Sequence, residues 1–175
     1  MLMITLAFVF NFLSLLANFA AYVTPWMYVT AERAILGGRL NRGLWGQCWD
    51  GKECSWYFRN DLQGIKDMPD WEKSVVALFG LALVFHAVAF LMALCHVLCC
   101  RHRISYTSTV AGFLLLVFIM IGISIIVYGV FRHRNGTEFK TSGNHFHAAF
   151  YLGIVSAVMT LVASMLYACW SGRHD

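Results

Sequence analysis

WMYVTAERAILGGRLNRGLWGQCWDGKEC, residues 26–54, is the stretch on which the reading of this chain turns. It holds Trp26, then Gly43-Leu44-Trp45, then Cys48 and Cys54, inside the one long polar interval of an otherwise apolar sequence. Hydrophobic runs stand on both sides of it. A polar stretch bounded in that way reads as a small folded element held between two membrane-crossing helices.

Composition supports this. The 175 residues are 59% apolar and 13% charged, against about 45–50% and about 25% for an ordinary globular domain. The charges are also segregated. Leu2–Val23, Val75–Cys100, Ile104–Phe131 and Ala148–Trp170 contain no Asp, Glu, Lys or Arg. Each run is long enough to cross about 30 Å of hydrocarbon at about 1.5 Å per residue. The expectation is one domain, a mainly α membrane protein with helices at about 2–24, 74–100, 104–131 and 148–170 and loops at about 25–72 and 132–147. The first run lacks the basic start and the small-residue cleavage site of a signal peptide, so it is read as a retained helix. The net charge of +4 comes from basic residues scattered over the loops. No basic helix or stripe suggests a nucleic-acid partner.

The first loop reads as short strands. Met27–Thr30 and Ala34–Leu36 are apolar or β-branched, and Gly37-Gly38 breaks between strands. Gly43–Cys48 and Cys54–Phe58 flank Asp50-Gly51, a strong hairpin signal because Gly accepts the positive φ of the turn. A hairpin there sets Cys48 and Cys54 on adjacent antiparallel strands, close enough for a disulfide. So short a closed loop stabilises by only about 2 kcal/mol in the chain-entropy model. Its larger value is to hold the register of a sheet that has no large core. The loop carries six acidic and six basic residues, so no single-sign field selects an ion.

Within the spans the polar residues are few. Asn11, Ser14 and Asn18 share one face of the first helix and should point into the bundle. His86 lies mid-span in the second and is expected to be neutral and hydrogen-bonded, since no carboxylate lies in any span to complete a relay. Ser108 and Gly112 form a small-xxx-small pair in the third. Ala149, Gly153 and Ala157, with Ser156, Thr160 and Ser164, form two such ridges in the fourth. Cys99 and Cys100, beside Arg101 and Arg103, are candidate palmitoylation sites. Asn135-Gly136-Thr137 is a glycosylation acceptor. His133, His145 and His147 have no carboxylate or thiolate spaced to complete a metal site, and no metal or cofactor is expected. The density of Lys and Arg decides the orientation poorly. The cysteine pair and the Asn135 acceptor point to an oxidising outer side for both loops and to cytosolic termini.

Trp26, Gly43-Leu44-Trp45, Cys48 and Cys54, between the first and second of four spans, resemble the first-loop signature of the claudin and peripheral myelin protein superfamily. The match extends over the whole chain through the four-span layout and the relative loop sizes. The resemblance implies a left-handed four-helix bundle capped by a small antiparallel extracellular sheet. It implies that Trp26 and Trp45 pack where sheet meets bundle and that Cys48–Cys54 locks the sheet. Two features depart from vertebrate claudins and are like invertebrate claudin-like proteins: the cysteines lie closer together, and residues 171–175 lack the Tyr-Val ending that binds PDZ scaffolds. The function implied is a plasma-membrane protein of cell–cell junctions, such as tight junctions, acting in paracellular barrier or adhesion. Its expected partners are membrane lipid, further copies or other claudin-like proteins in cis and trans. The alternative is an auxiliary subunit of an ion channel or receptor. No nucleophile–base pair or phosphate loop points to an enzyme.

Overall fold

In the computed structural model, residues 2–24, 27–31, 39–49, 53–56, 68–98, 105–135 and 145–172 are described. Four helices carry the chain across a bilayer: α1 (Leu2–Val23), α2 (Asp70–Leu98), α3 (Ser105–Asn135) and α4 (Ala148–Ser171). Among the described residues five short strands accompany them: β1 (Tyr28–Ala31), β2 (Arg39–Arg42), β3 (Gly46–Trp49), β4 (Glu53–Trp56) and β5 (His145–Phe146). They form one antiparallel sheet in the order β4-β3-β2-β1-β5.

The helices close a ring in which α1 packs on α2 and α4, and α3 packs on the same two. Each buries a stripe with alternating steps of three and four residues. In α1 the stripe is Ala7, Asn11, Ser14, Asn18 and Ala21. In α2 it runs Val75, Phe79, Ala82, His86, Ala89, Ala93 and His96. In α4 it includes Ala149, Gly153, Ser156, Thr160, Ala163 and Tyr167. A repeat of about 3.5 residues keeps one seam facing its neighbours when helices supercoil to the left. Hydrophobicity does not mark these stripes, because the lipid-facing positions are more apolar still. Small size and hydrogen-bonding capacity mark them instead. Between 22% and 44% of the residues in the apolar heart of each span are buried within the chain, and the large apolar side chains left exposed are the ones lipid would cover.

The interior is layered. A cluster at the sheet end gathers Ala21, Phe79, Tyr128 and Phe150 beneath Met27 and Leu44 of the sheet. A second cluster at the opposite end holds Ala7, Ala93, Leu114 and Tyr167. Between them lie the fully buried Asn11, Ser14, Asn18, His86, Ser156 and Thr160.

The observed elements differ from the expected ones in four respects. First, α2 begins at Asp70, ahead of the nominal bound near 74 and at the acidic Asp70-Trp71-Glu72 start, because the Pro69 carbonyl accepts from the Glu72 and Lys73 amides at 2.9 and 3.1 Å. Asp70 and Glu72 then sit in the first turn, where the helix dipole favours them. Second, α3 runs to Asn135 rather than 131, so Asn135 ends a helix instead of lying in a loop. Third, two strands appear that the residue pattern did not announce, β2 and β5. Fourth, the Ser108–Gly112 pair does not mediate helix contact. Both residues are exposed, and nothing lies within 4 Å of a side chain placed at Gly112. The inward stripe of α3 instead contains Thr107, Ala111 and Leu114, and Ser164 of α4 donates to the Ala111 carbonyl at 2.8 Å. The expected strand at Ala34–Leu36 lies outside the described residues.

Candidate functional site at the joint between sheet and bundle

The sheet is fastened to the bundle by the turn between β2 and β3. Arg42 pairs with Gln47, which leaves Gly43 opposite Gly46 and Leu44-Trp45 as a two-residue tip. The Gly43 amide donates to the Gly46 carbonyl at 2.8 Å and closes that tip. Gly46 has a specific reason to be Gly: an added side chain would stand 2.8 Å from the Ser55 carbonyl and 3.1 Å from the Trp56 ring. The tight turn aims its two apolar residues at the helix ends. Leu44 is fully buried in the cluster at the sheet end, and Trp45 packs at the cluster's edge.

Trp45 is received by Tyr22, the penultimate residue of α1. Their rings meet edge to face with centroids 5.4 Å apart, a favoured aromatic geometry. The Trp45 indole N–H donates to the Tyr22 hydroxyl. Tyr22 in turn stacks on Phe79 of α2, with centroids 5.8 Å apart and planes 3° from parallel. Its hydroxyl lies over Gly80, where an added side chain would approach to 2.5 Å. One chain of contacts therefore runs from the sheet through Tyr22 into α2. A second fastening lies across the sheet. The Met27 amide donates to the Arg42 carbonyl at 3.0 Å, and the His147 amide donates to the Met27 carbonyl at 3.0 Å. His147 directly precedes α4, and Phe146 stacks on Phe150 with centroids 4.1 Å apart.

Farther along the sheet, Cys48 lies opposite Cys54 in the β3–β4 ladder, and the two form a disulfide. Cys48 is buried while Cys54, toward the sheet's edge strand, is exposed. Beside the joint is an open-sided cavity of about 280 Å³. Tyr22, Leu44, Trp45, Met68, Val76 and Ala77 line it together with Lys73. The Lys73 ammonium sits 3.3 Å from the Asp70 carboxylate.

Deeper between α1 and α2, His86 joins the two helices. Asn18 Nδ2 stands 3.3 Å from His86 Nδ1, and Ser14 Oγ stands 3.1 Å from His86 Nε2. With the amide as donor, Nδ1 accepts and the ring proton sits on Nε2, which donates to Ser14. The Ser14 hydroxyl passes its own proton to the Asn11 carbonyl at 3.0 Å. This pattern of one accepting and one donating ring nitrogen belongs to the neutral imidazole. On the other side of α1, the Ser156 hydroxyl of α4 donates to the Ser14 carbonyl at 2.9 Å.

Of the residues singled out in the sequence, Gly43, Leu44, Trp45, Cys48 and Cys54 gather in the sheet and its tip. Trp26, Cys99 and Cys100 lie outside the described residues, as do Gly136 and Thr137 of the Asn135 acceptor. Tyr22, Gly46 and Gly80 were not singled out. The pair of glycines bracketing Leu44-Trp45 was the available signal for Gly46. Nothing local marks Gly80, whose reason is a ring from another helix.

A sheet clamped to one end of a four-span helical bundle defines a multi-pass membrane protein. The family model described as PMP-22/EMP/MP20/Claudin matches residues 1–167, and the chain belongs to that family. A comparison with curated proteins finds no match.

Proposed function

We propose that this chain is a claudin-like protein of cell–cell junctions, one domain contributing to a paracellular barrier or to adhesion through its sheet and through lateral self-association. The observation that carries the reading is the fastening of the sheet. A surface that seals or adheres between cells has to be held at a fixed angle to the membrane. Trp45 ties this sheet to Tyr22 of α1 and Phe146 ties it to Phe150 of α4, while Leu44 and Met27 are buried in the cluster beneath. Family membership supports the same class of role.

In this reading the sheet and both larger loops are outside and the termini are cytosolic. The disulfide supports it, because such bonds persist in oxidising compartments. The C-terminal end of α3, with Asn135, lies at the sheet end of the bundle, where a glycan would also be added. Cys99 and Cys100 are then cytosolic palmitoylation candidates. The test is expression of the tagged chain in epithelial cells that lack related proteins. Enrichment along lateral borders, with raised transepithelial resistance, supports a junction role. An even distribution over the surface, with stable co-purification of a channel or receptor, overturns it in favour of an auxiliary subunit.

A further inference from the structure

We propose that the cavity beside the Tyr22–Trp45 joint takes the upper part of one acyl chain of a zwitterionic phospholipid, with the phosphate at Lys73 and the cationic headgroup at Asp70. This inference rests on the membrane-spanning fold and not on the junction role. Four observations carry it.

The first is depth. Lys73 and Ala77 both face the cavity and lie about one helical turn apart, so it spans about 6 Å along the axis. The charge-free run of α2 begins at Val75, between them. The cavity thus straddles the level where charge gives way to hydrocarbon.

The second is wall chemistry. Leu44, Met68, Val76 and Ala77 are apolar. Among the described lining residues, the Trp45 indole N–H and the Tyr22 hydroxyl are already paired with each other. Such walls suit methylenes better than a sterol hydroxyl or a peptide. At about 280 Å³ the space is also just below the range of about 300–1,000 Å³ that holds a whole drug-sized ligand. It fits a segment of a chain.

The third is continuity. Below the cavity, α2 turns Ala77, Leu81, Val84 and Val88 outward, in steps of four, three and four residues. An acyl chain entering at the cavity would continue down that lipid-facing track.

The fourth is charge. Asp70 and Lys73 place opposite charges 3.3 Å apart at the level of the headgroups. A lone cation would select an anionic lipid. A paired carboxylate and ammonium instead match the two signs of a phosphocholine or phosphoethanolamine.

The probe is a phosphatidylcholine carrying a diazirine in the upper half of one chain, doped into phosphatidylcholine nanodiscs that hold the full-length protein. After irradiation, adducts are mapped by peptide mass spectrometry. The expected result is several-fold heavier labelling of the peptides holding Tyr22 and Val76-Ala77 than of residues 154–158 of α4, although Ile154, Val155 and Val158 there are more exposed than Tyr22 and Val76. Ala77→Trp should fill the cavity and bring labelling down to the α4 level. Lys73→Met, at a half-exposed position, should lower it without threatening the fold, which an intact Cys48–Cys54 bond and an unchanged melting curve would verify. A phosphatidylglycerol probe should label less than phosphatidylcholine, because Asp70 repels it. Labelling in simple proportion to exposure overturns the proposal. So do labelling unchanged by both variants, preference for phosphatidylglycerol, displacement by a sterol probe, and cross-links there to a second copy of the chain.

Discussion

Helix α1 has two seams of different construction. Against α4 it makes the broader contact, and the side chains there are small: Ala7, Ser14 and Ala21 on one side, Ser156, Thr160 and Ala163 on the other. The backbones come close enough for a Ser156 hydroxyl to reach the Ser14 carbonyl. Against α2 the contact is narrow and the fillers are large. Phe8 and Phe12 pack on Phe90, Tyr22 packs on Phe79, and His86 reaches across to Ser14 and Asn18. The cavity opens at the sheet end of this second seam. In lipid the hydrophobic effect does not press helices together, so they associate by close fit or by polar bridging. The α1–α4 seam relies mainly on fit. The α1–α2 seam relies on bridges, and its sheet end is held by Trp45. It follows that the α1–α2 seam should fail first.

Trp45→Ala breaks the comparison hardest. It removes the ring that bridges the sheet to α1, a loss of about 3–5 kcal/mol for a packed aromatic. That is a large share of a stability of roughly 5–15 kcal/mol. The variant should be retained in the endoplasmic reticulum, as surface biotinylation would show. Normal traffic with loss of cell–cell association alone would make Trp45 a contact residue and the joint secondary.

A smaller loss is expected from Gly80→Ala. The new methyl collides with a Tyr22 hydroxyl that Trp45 and Phe79 hold in place, and overpacking of that kind costs about 1–3 kcal/mol. Gly153→Ala is the control in α4, since its methyl would meet Ile125 at an ordinary 3.5 Å. Thermal melting in detergent should separate the two. Equal melting temperatures would mean that Tyr22 is free to move and that the α1–α2 seam is not tightly set.

The polar bridge is weaker than its burial suggests. A double-mutant cycle of Ser14→Ala with His86→Leu should return a coupling of about 0.6 kcal/mol, the average for hydrogen bonds between membrane helices, and no more than about 1.7 kcal/mol. A coupling near zero would mean that His86 fills space without tying α1 to α2.

The smallest effect has the opposite sign. Gly112 is exposed, and among the described residues nothing stands within 4 Å of a side chain placed there. Gly112→Ala should therefore stabilise α3 by about 0.5–1 kcal/mol, the backbone-entropy difference within a helix. Destabilisation would reveal a helix partner at that face, such as a second copy.

Several elements were readable from the residues alone. Four charge-free runs of sufficient length mark four spans, because an unpaired charge in hydrocarbon is costly and the rise per residue is fixed. Asp50-Gly51 between two apolar runs marks the β3–β4 hairpin, whose register opposes Cys48 to Cys54. Asn11, Ser14 and Asn18 mark the inward face of α1, since polar groups in lipid must find partners. These are local consequences of spacing and solvation. The rest depended on parts of the chain far apart in sequence. Strand β2, reading Arg39-Leu40-Asn41-Arg42, has no apolar alternation and is a strand because β1 and β3 pair on either side of it. The two residues of β5 are a strand because Val29 and Tyr28 lie opposite them. The Ser108–Gly112 pair had the same local pattern as the ridges of α4, yet it faces lipid, because α3 turns Ala111 and Leu114 inward. Gly80 became indispensable when Tyr22 arrived from another helix. Hydropathy could not foresee these contacts: in a bilayer both faces of a helix are apolar, and only the fit of one helix against its neighbours decides which face is buried.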